Sequence, residues 1–398
     1  MFFHDVPEGP PDPVFGLGGA FQADVRPNKV DLMVGIYRDE MLEPFLLPSV
    51  KKAKGQILER DGIADYLPID GFVPFYEELG RLLFGKKTWD EEQGRIYAAH
   101  ATGGTGALRI VAEFLAQEVT RTIYIPDPTW PNHRQIFERA GCRVETYPYY
   151  NRQTKIFDCE AMCRTLETLP EKTAVLLHVS CHNPSGRDPS LDEWKLLSQV
   201  FKKGNLLPFF DCGYQGLGDG LDKDADSVRL FFREGHEMVV AYSCSKNFSL
   251  YCQRVGGLFV VDGDPAVKYR VGSQIKRIIR GLYSNPPAHG AKIVAEILQN
   301  GNLRKEWDND LERMRNRIHA NREKLISLLI AGTKKKDFHY LHNHKGLFMF
   351  IDLTKSQVQQ LLDEWAIYVL DSGRINVAGL TQKNIKYVVE GLLRVTKS

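Results

Sequence analysis

The sequence predicts an α/β fold in which a large domain with a mostly parallel central sheet is joined to a smaller α+β domain. Between about residues 95 and 261, short runs that are apolar on both faces alternate with helical stretches, as expected of a parallel or mostly parallel sheet covered by helices. After about residue 290 a long tract of i, i+3, i+4 spacing and one more strand-like run replace that alternation, which marks the second domain. The 398 residues, 43% hydrophobic and 26% charged, suffice for one large core and a smaller one.

The first thirty residues are rich in Pro and Gly. Glu8-Gly-Pro-Pro-Asp-Pro13 interrupts any helix and reads as an extended arm, and the apolar side chains around it (Phe2, Phe3, Val14, Phe15, Leu17) need a surface to lie on. A Gly-rich turn, Ala101-Thr-Gly-Gly-Thr-Gly-Ala-Leu-Arg109, runs into a helical pattern of Ala107, Leu108, Ile110, Val111 and Phe114. Strands are expected at 122–125, 174–178, 206–210, 238–243 and 257–261. A long helical tract is expected from Pro287 through Leu328, followed by a strand at 346–352. The sequence has no internal repeat and no low-complexity segment.

Several function classes lose their basis at once. Lys+Arg at 52 against Asp+Glu at 50 leaves +2, so no global field draws the chain to nucleic acid or an anionic membrane. No apolar stretch approaches the roughly 18 to 20 residues that cross a bilayer. The start, Met1-Phe-Phe-His-Asp-Val-Pro-Glu8, is acidic and Pro-rich where a signal peptide is basic and then apolar, so a cytoplasmic protein is expected. Seven scattered cysteines without a CxxC spacing (the nearest are Cys159/Cys163 and Cys244/Cys252) read as reduced and mostly buried. No group has zinc-ligand spacing, no GxSxG elbow occurs, and no metal is expected. The Gly-rich turn has Arg109 where GxGxxG needs its third glycine, which disfavours a dinucleotide site. Gly80-Arg-Leu-Leu-Phe-Gly-Lys-Lys87 is one residue short of a Walker A motif, has Lys87 where Ser or Thr holds magnesium, and reads as a chance match.

In open α/β sheets the functional groups collect at the carboxyl ends of the strands. Pro126-Asp-Pro-Thr-Trp130, His182-Asn-Pro-Ser-Gly186, Asp211-Cys-Gly-Tyr214 and Ser243-Cys-Ser-Lys246 follow four of the expected strands. Lys246 alone reads as a solvated surface residue. Asp211 changes that, because a carboxylate behind only apolar residues is costly unless it meets a cation. A protonated pyridine ring is such a cation. Pyridoxal phosphate needs an amine for its aldehyde, an acid for its ring nitrogen and cationic or backbone donors for its phosphate, and Lys246, Asp211 and Arg254 fit those needs in order. The Gly-rich helix start is a further anion site or a plain structural loop. Trp130 either caps a core or stacks on a ring, with His133 nearby. Asn183 and Tyr214 are turn and packing residues or donors to a ring oxygen. Arg280 and Arg374 are surface residues or bidentate partners of a carboxylate.

Together these residues resemble the class I, fold-type I pyridoxal-phosphate aminotransferases, and within them the aspartate aminotransferase subgroup. The similarity also runs through Pro11-Asp-Pro-Val-Phe15, Asn28-Lys-Val-Asp-Leu-Met-Val-Gly-Ile-Tyr-Arg-Asp39, Tyr66-Leu-Pro-Ile69, Ser284-Asn-Pro-Pro287 and Gly373-Arg-Ile-Asn-Val-Ala-Gly-Leu380, which spans nearly the whole chain. The resemblance implies that Lys246 is the Schiff-base lysine and proton carrier, Asp211 the partner of the pyridine nitrogen, and Tyr214 and Asn183 the groups on the ring oxygen. It implies a phosphate cup of Gly103, Gly104, Thr105, Ser243 and Arg254, with Trp130 stacked on the ring and Tyr66 arriving from the other subunit of a homodimer. It places Gly35, Trp130, Asn183, Arg374 and Arg280 around the substrate, with Arg374 on the α-carboxylate and Arg280 reaching across the dimer to a side-chain carboxylate. The implied domains are an arm at 1–12, a large domain at 45–312 that binds the cofactor, and a small domain of 13–44 with 313–398.

The implied activity is ping-pong transamination between L-aspartate and 2-oxoglutarate, giving oxaloacetate and L-glutamate. The alternatives are an aromatic amino acid aminotransferase of the same subgroup and a catalytically silent relative. Gly103 stands where the subgroup usually has serine, so one hydroxyl contact to the phosphate is expected to be lost. Cys212, Gly213, Cys244 and Cys252 also depart from the pattern, in ways expected to tune packing, and Pro131 is expected to shift the Trp130 ring slightly.

Overall fold

The computed structural model describes residues 1–9, 15–60, 65–333 and 337–396. Its central sheet has seven strands: β1 (Ile96–Thr102), β2 (Thr122–Asp127), β3 (Arg143–Pro148), β4 (Ala174–His178), β5 (Leu207–Cys212), β6 (Met238–Ser243) and β7 (Val255–Val261). They lie in the order β1-β7-β6-β5-β4-β2-β3. Pairing is parallel from β6 through β5, β4 and β2 to β3, and only β7 runs against its neighbours, β6 and β1. The mostly parallel sheet expected from the sequence is therefore present, with β5 displaced by one residue so that Asp211 lies within the strand end.

The strands are apolar along their length because both faces are covered. In β4 and β5, Val175, Leu177 and Phe210 point into one core, and Ala174, Leu176 and Phe209 point into the other. This is the period-2 alternation of a strand buried on both sides. The edge strand β3 differs, with mostly half-buried or exposed residues including Arg143 and Glu145, as suits a strand that must not recruit another.

The helical tract expected from 287 to 328 is two helices, Ala288–Gln299 and Gly301–Gly332. The break is a cap: the Asn300 side chain accepts hydrogen bonds from the N–H groups of Asn302 and Leu303 and starts the second helix. The strand expected at 346–352 shortens to Phe348–Phe350, paired antiparallel with Arg374–Asn376. At the other end of the chain, Phe15–Ala23 is helical. Leu17 and Phe21 pack there against Met33, Tyr368 and Leu370, so the apolar residues of this segment find a surface within the same chain. Phe2 and Phe3 stay exposed, and residues 10–14 of the expected arm lie outside the described residues. Val30–Asp31 pairs in parallel with Ile367–Tyr368, which ties the two ends of the chain together. The Walker-like segment crosses two helices, Val73–Phe84 and Lys86–Glu92, with Gly80 packed under the Trp89 ring, and is no phosphate loop.

Candidate active site

The site forms at the carboxyl ends of β4, β5 and β6, beside the helix Gly103–Glu118 that follows β1. Glycines let that helix start approach closely. A Cβ on Gly103, whose φ is +75°, would lie 2.5 Å from the Arg254 guanidinium, and one on Gly104 would lie 2.9 Å from Ser243 Cβ. From behind, Gly256 of β7 allows the same approach, since a Cβ there would lie 2.5 Å from the Gly103 carbonyl carbon and 2.5 Å from the Tyr242 oxygen. Arg254 adopts a left-handed φ of 51° and is braced by its bonds to the Tyr251 carbonyl at 3.1 Å and the Ser245 hydroxyl at 3.4 Å. Among the described residues it has no carboxylate partner. A guanidinium without a carboxylate partner beside the N–H groups of a helix start can accept a phosphate-sized anion.

Lys246 lies three residues past β6, with Nζ 4.7 Å from the centre of the Tyr214 ring. Burial lowers its pKa to about 8, with the charges of Arg254 and Arg374 acting in the same direction and Asp211 opposing. The amine is thus available as a nucleophile near neutral pH. In the Asp211 carboxyl, burial favours protonation, but the His133 hydrogen bond, with the Lys246 charge acting in the same direction, outweighs it and holds the pKa below the usual value. His133 Nε2 lies 3.1 Å from Asp211 Oδ2, and its Nδ1 lies 2.8 Å from the Thr129 hydroxyl. With that hydroxyl donating to Nδ1, the remaining proton sits on Nε2 and points at Asp211.

The sequence reading left Asp211 with only a cofactor ring as its expected partner. The fold supplies His133 as well, from the helix Asn132–Arg139 after β2. His178, paired in register with Asp211, packs with its ring tilted at 5.2 Å from that of His133 and is kept neutral by burial, its pKa pushed down to about 3. The ligand atoms of His133, His178 and Asp211 all lie within 4.8 Å of one another, a proximity that sequence spacing did not reveal.

The opposite wall is Arg374, at the start of the strand Arg374–Asn376. It is 3% exposed, donates to Asn183 Oδ1 at 2.9 Å and to the Met33 carbonyl, and lies 4.1 Å over the Phe348 ring. Its Nε is buried without a partner, and no carboxylate pairs with it among the described residues. Desolvation lowers its pKa to about 10, yet it stays charged at neutral pH. Gly35 borders this wall, since a Cβ on it would lie 2.8 Å from the Phe348 ring. Asn183 spends its carbonyl oxygen on Arg374, which leaves its amide N–H groups to point elsewhere. Trp130 packs edge-on at 5.2 Å against His133.

Lys246, Asp211, Tyr214, Asn183, Ser243, Arg254, Arg374, Gly103, Gly104, Gly35 and Trp130 are thus joined by direct contacts or through one shared neighbour, and Thr105 sits in the first turn of the cup helix. Two expected residues stand apart. Tyr66 is 87% exposed, and Arg280 is exposed with its guanidinium on the Ser284 hydroxyl. Of the cysteines that depart from the subgroup pattern, Cys212 and Cys244 are buried packing residues and Cys252 is exposed.

The chain is similar to known proteins over nearly its whole length. Residues 27–392 match the family model described as aminotransferase class I and II. The chain is 41% identical to an aspartate aminotransferase of Haemophilus influenzae, over 99% of this chain and 100% of that one. It is 40% identical to a mitochondrial aspartate aminotransferase of Xenopus tropicalis, over 98% of this chain and 92% of that one. Among solved structures, an aromatic-amino-acid aminotransferase from Burkholderia pseudomallei covalently bound to pyridoxal phosphate superposes with a TM-score of 0.96 at 40% identity, covering 99% of each chain. With the family model matched over most of its length, the chain belongs to the class I and II aminotransferases.

Proposed function

We propose that the protein is a pyridoxal-phosphate-dependent aspartate aminotransferase that exchanges the amino group of L-aspartate with 2-oxoglutarate. One observation carries the proposal. A nucleophilic lysine and a buried carboxylate share a pocket with two guanidinium groups that lack carboxylate partners among the described residues. The full-length relatives named aspartate aminotransferase favour the same substrate.

The pocket fits the cofactor. The cradle at Gly103 and Gly104 is space that a Cβ would fill, and Arg254 stands bare beside it. When bound, pyridoxal phosphate supplies an aldehyde that condenses with amines and a ring that stores the electron pair released from the substrate Cα–H bond. Arg254, Ser243, Thr105 and the N–H groups of Gly103 and Gly104 would hold the phosphate, with Trp130 available to pack on the ring. Asp211, oriented by His133, keeps the proton on the ring nitrogen. Asn183 and Tyr214 would donate to the ring oxygen. Arg374 takes the α-carboxylate in a bidentate grip and so turns the Cα–H bond toward Lys246. Lys246, the one amine at this wall among the described residues, would take the proton from the substrate Cα and hold it for return. Release of the 2-oxo acid and the same steps in reverse with a second oxo acid complete a ping-pong cycle.

A homodimer is part of this proposal, because Arg280 and Tyr66 are exposed in their own chain, where they can reach a partner's pocket. So is the division into an arm at 1–12, a large domain at 45–312 and a small domain of 13–44 with 313–398. A cytoplasmic location is supported by seven free cysteines, as expected in a reducing compartment.

The test is the visible spectrum of the protein reconstituted with pyridoxal phosphate, before and after adding L-aspartate without an oxo acid. A yellow band that aspartate bleaches supports the proposal. Bleaching by phenylalanine or tyrosine alone makes the protein an aromatic aminotransferase, and absence of the band makes it a silent relative. Lys246→Ala should leave a folded protein with turnover lower by several orders of magnitude.

A further inference from the structure

Between Lys246 and Arg254 stands Tyr251, which the transamination reading leaves without a task. It opens the single 3₁₀ turn Tyr251–Gln253, whose next residue is Arg254. The Tyr251 carbonyl accepts a hydrogen bond from Arg254 Nη1 at 3.1 Å, and its phenol oxygen accepts the Tyr37 N–H at 2.9 Å. One residue thus holds the guanidinium of the phosphate cup with its backbone and a segment 214 positions away with its side chain.

That segment needs such a hold. Residues 33–37 are irregular chain between the strand Val30–Asp31 and the bridge of Arg38 with Pro44, so side chains must satisfy the backbone groups that a sheet would otherwise pair. Asn376 Nδ2 donates to the Val34 carbonyl at 2.6 Å and the Ile36 carbonyl at 2.8 Å, and Arg374 donates to the Met33 carbonyl. These bonds come from the strand Arg374–Asn376, whereas the bond to the Tyr37 N–H comes from the loop after Lys246. The segment also borders the substrate wall, since Gly35 abuts the Phe348 ring over which Arg374 lies.

We propose that Tyr251 is a positioning residue for substrate binding: its phenol holds segment 33–37 in register with the phosphate cup and so keeps Arg374 aimed at the α-carboxylate. The inference rests on the transamination reading of Arg254 and Arg374. Tyr37 is buried, so without the phenol oxygen its N–H is left unpaired away from water and the segment must shift to satisfy it. The Met33 carbonyl, one of the two groups that orient Arg374, belongs to that segment. A looser Arg374 grips the carboxylate less well in the ground state and the transition state alike, which raises KM and spares kcat. The backbone carbonyl on Arg254 survives replacement of the side chain, so the cofactor should stay bound.

The experiment is steady-state kinetics of the Tyr251→Phe holoenzyme with L-aspartate and L-phenylalanine as donors. KM should rise about tenfold for both, with kcat changed by less than about twofold and the visible spectrum of the cofactor unaltered. Cys252→Ser, an exposed change on the same turn, should leave both constants as in the wild type. Unchanged KM, a fall in kcat alone, loss of the cofactor, or an equal effect of Cys252→Ser would overturn the proposal. A second readout needs no variant: the Tyr37 amide should be protected from hydrogen exchange in the wild-type holoenzyme, and free exchange there would equally overturn it. Absence of the yellow band in the wild type removes the transamination reading and this inference together, whereas a wild type that turns over with Tyr251→Phe kinetics unchanged removes this inference alone.

Discussion

Replacing Arg374 tests the substrate-binding half of the reaction. Its guanidinium is buried, positioned by Asn183 Oδ1 at 2.9 Å and the Met33 carbonyl, and lacks a carboxylate partner among the described residues. A substrate α-carboxylate there makes a desolvated, bidentate ion pair, and truncating one partner of such a pair costs about 2–5 kcal/mol. At about 1.4 kcal/mol per decade, Arg374→Met should lower kcat/KM by roughly 30-fold to 4,000-fold. Because every α-amino acid carries that carboxylate, the loss should be equal for L-aspartate and L-phenylalanine. Arg374→Lys keeps the charge but not the planar fork and should recover only part of the loss. The assay is steady-state kinetics with both donors, with cofactor occupancy checked by absorbance. A loss confined to aspartate, or unchanged kcat/KM with full occupancy, would refute the assignment.

Three other outcomes follow from the same geometry. With the Lys246 pKa lowered to about 8, uptake of pyridoxal phosphate by the cofactor-free protein should rise about tenfold per pH unit below that value and level off above it, so a rate flat from about pH 6 to 9 in rapid mixing would contradict a neutral-amine nucleophile. Gly256→Ala puts a methyl group 2.5 Å from two backbone atoms behind the phosphate cup, which should cost about 1–3 kcal/mol and weaken cofactor binding; unchanged melting with and without cofactor would show that the close approach is not needed. Arg280→Ala should lower kcat/KM for aspartate by about 30-fold to 4,000-fold and barely affect phenylalanine, with a dimer in sedimentation; equal losses, or a fully active monomer, would remove Arg280 from substrate recognition.

How much was legible depended on whether the signal was local. Strands β4 and β6 could be read directly because burial on both faces leaves an uninterrupted apolar run. Strand β3 could not, since at the sheet edge Arg143 and Glu145 break that run. The division at Asn300 was hidden because apolar spacing continues across it, and only a side-chain cap separates the two helices. Lys246, Asp211 and Tyr214 stood out because strand ends concentrate chemistry. His133 was noticed only as a neighbour of Trp130, because nothing local aims its ring at Asp211, 78 positions away. The Arg374–Asn183 bond, across 191 positions, is likewise a product of tertiary packing.

The pocket's charges also connect occupancy to chemistry. Lys246, Arg254 and Arg374 share it with Asp211, and the two guanidinium groups both push the lysine toward its neutral form. A lysine so depressed is a good nucleophile for an incoming aldehyde. On the proposed roles, each anion that arrives would remove part of that pressure: a phosphate would neutralise Arg254, and an α-carboxylate Arg374. Burial, the largest influence, still depresses the amine, with Asp211 opposing it and less help from the guanidinium groups. Lys246 therefore becomes more basic as the site fills, at the stage when it must take a proton from Cα instead of attacking a carbonyl. The same residue is suited to two tasks in sequence, and the order is set by which anions are bound.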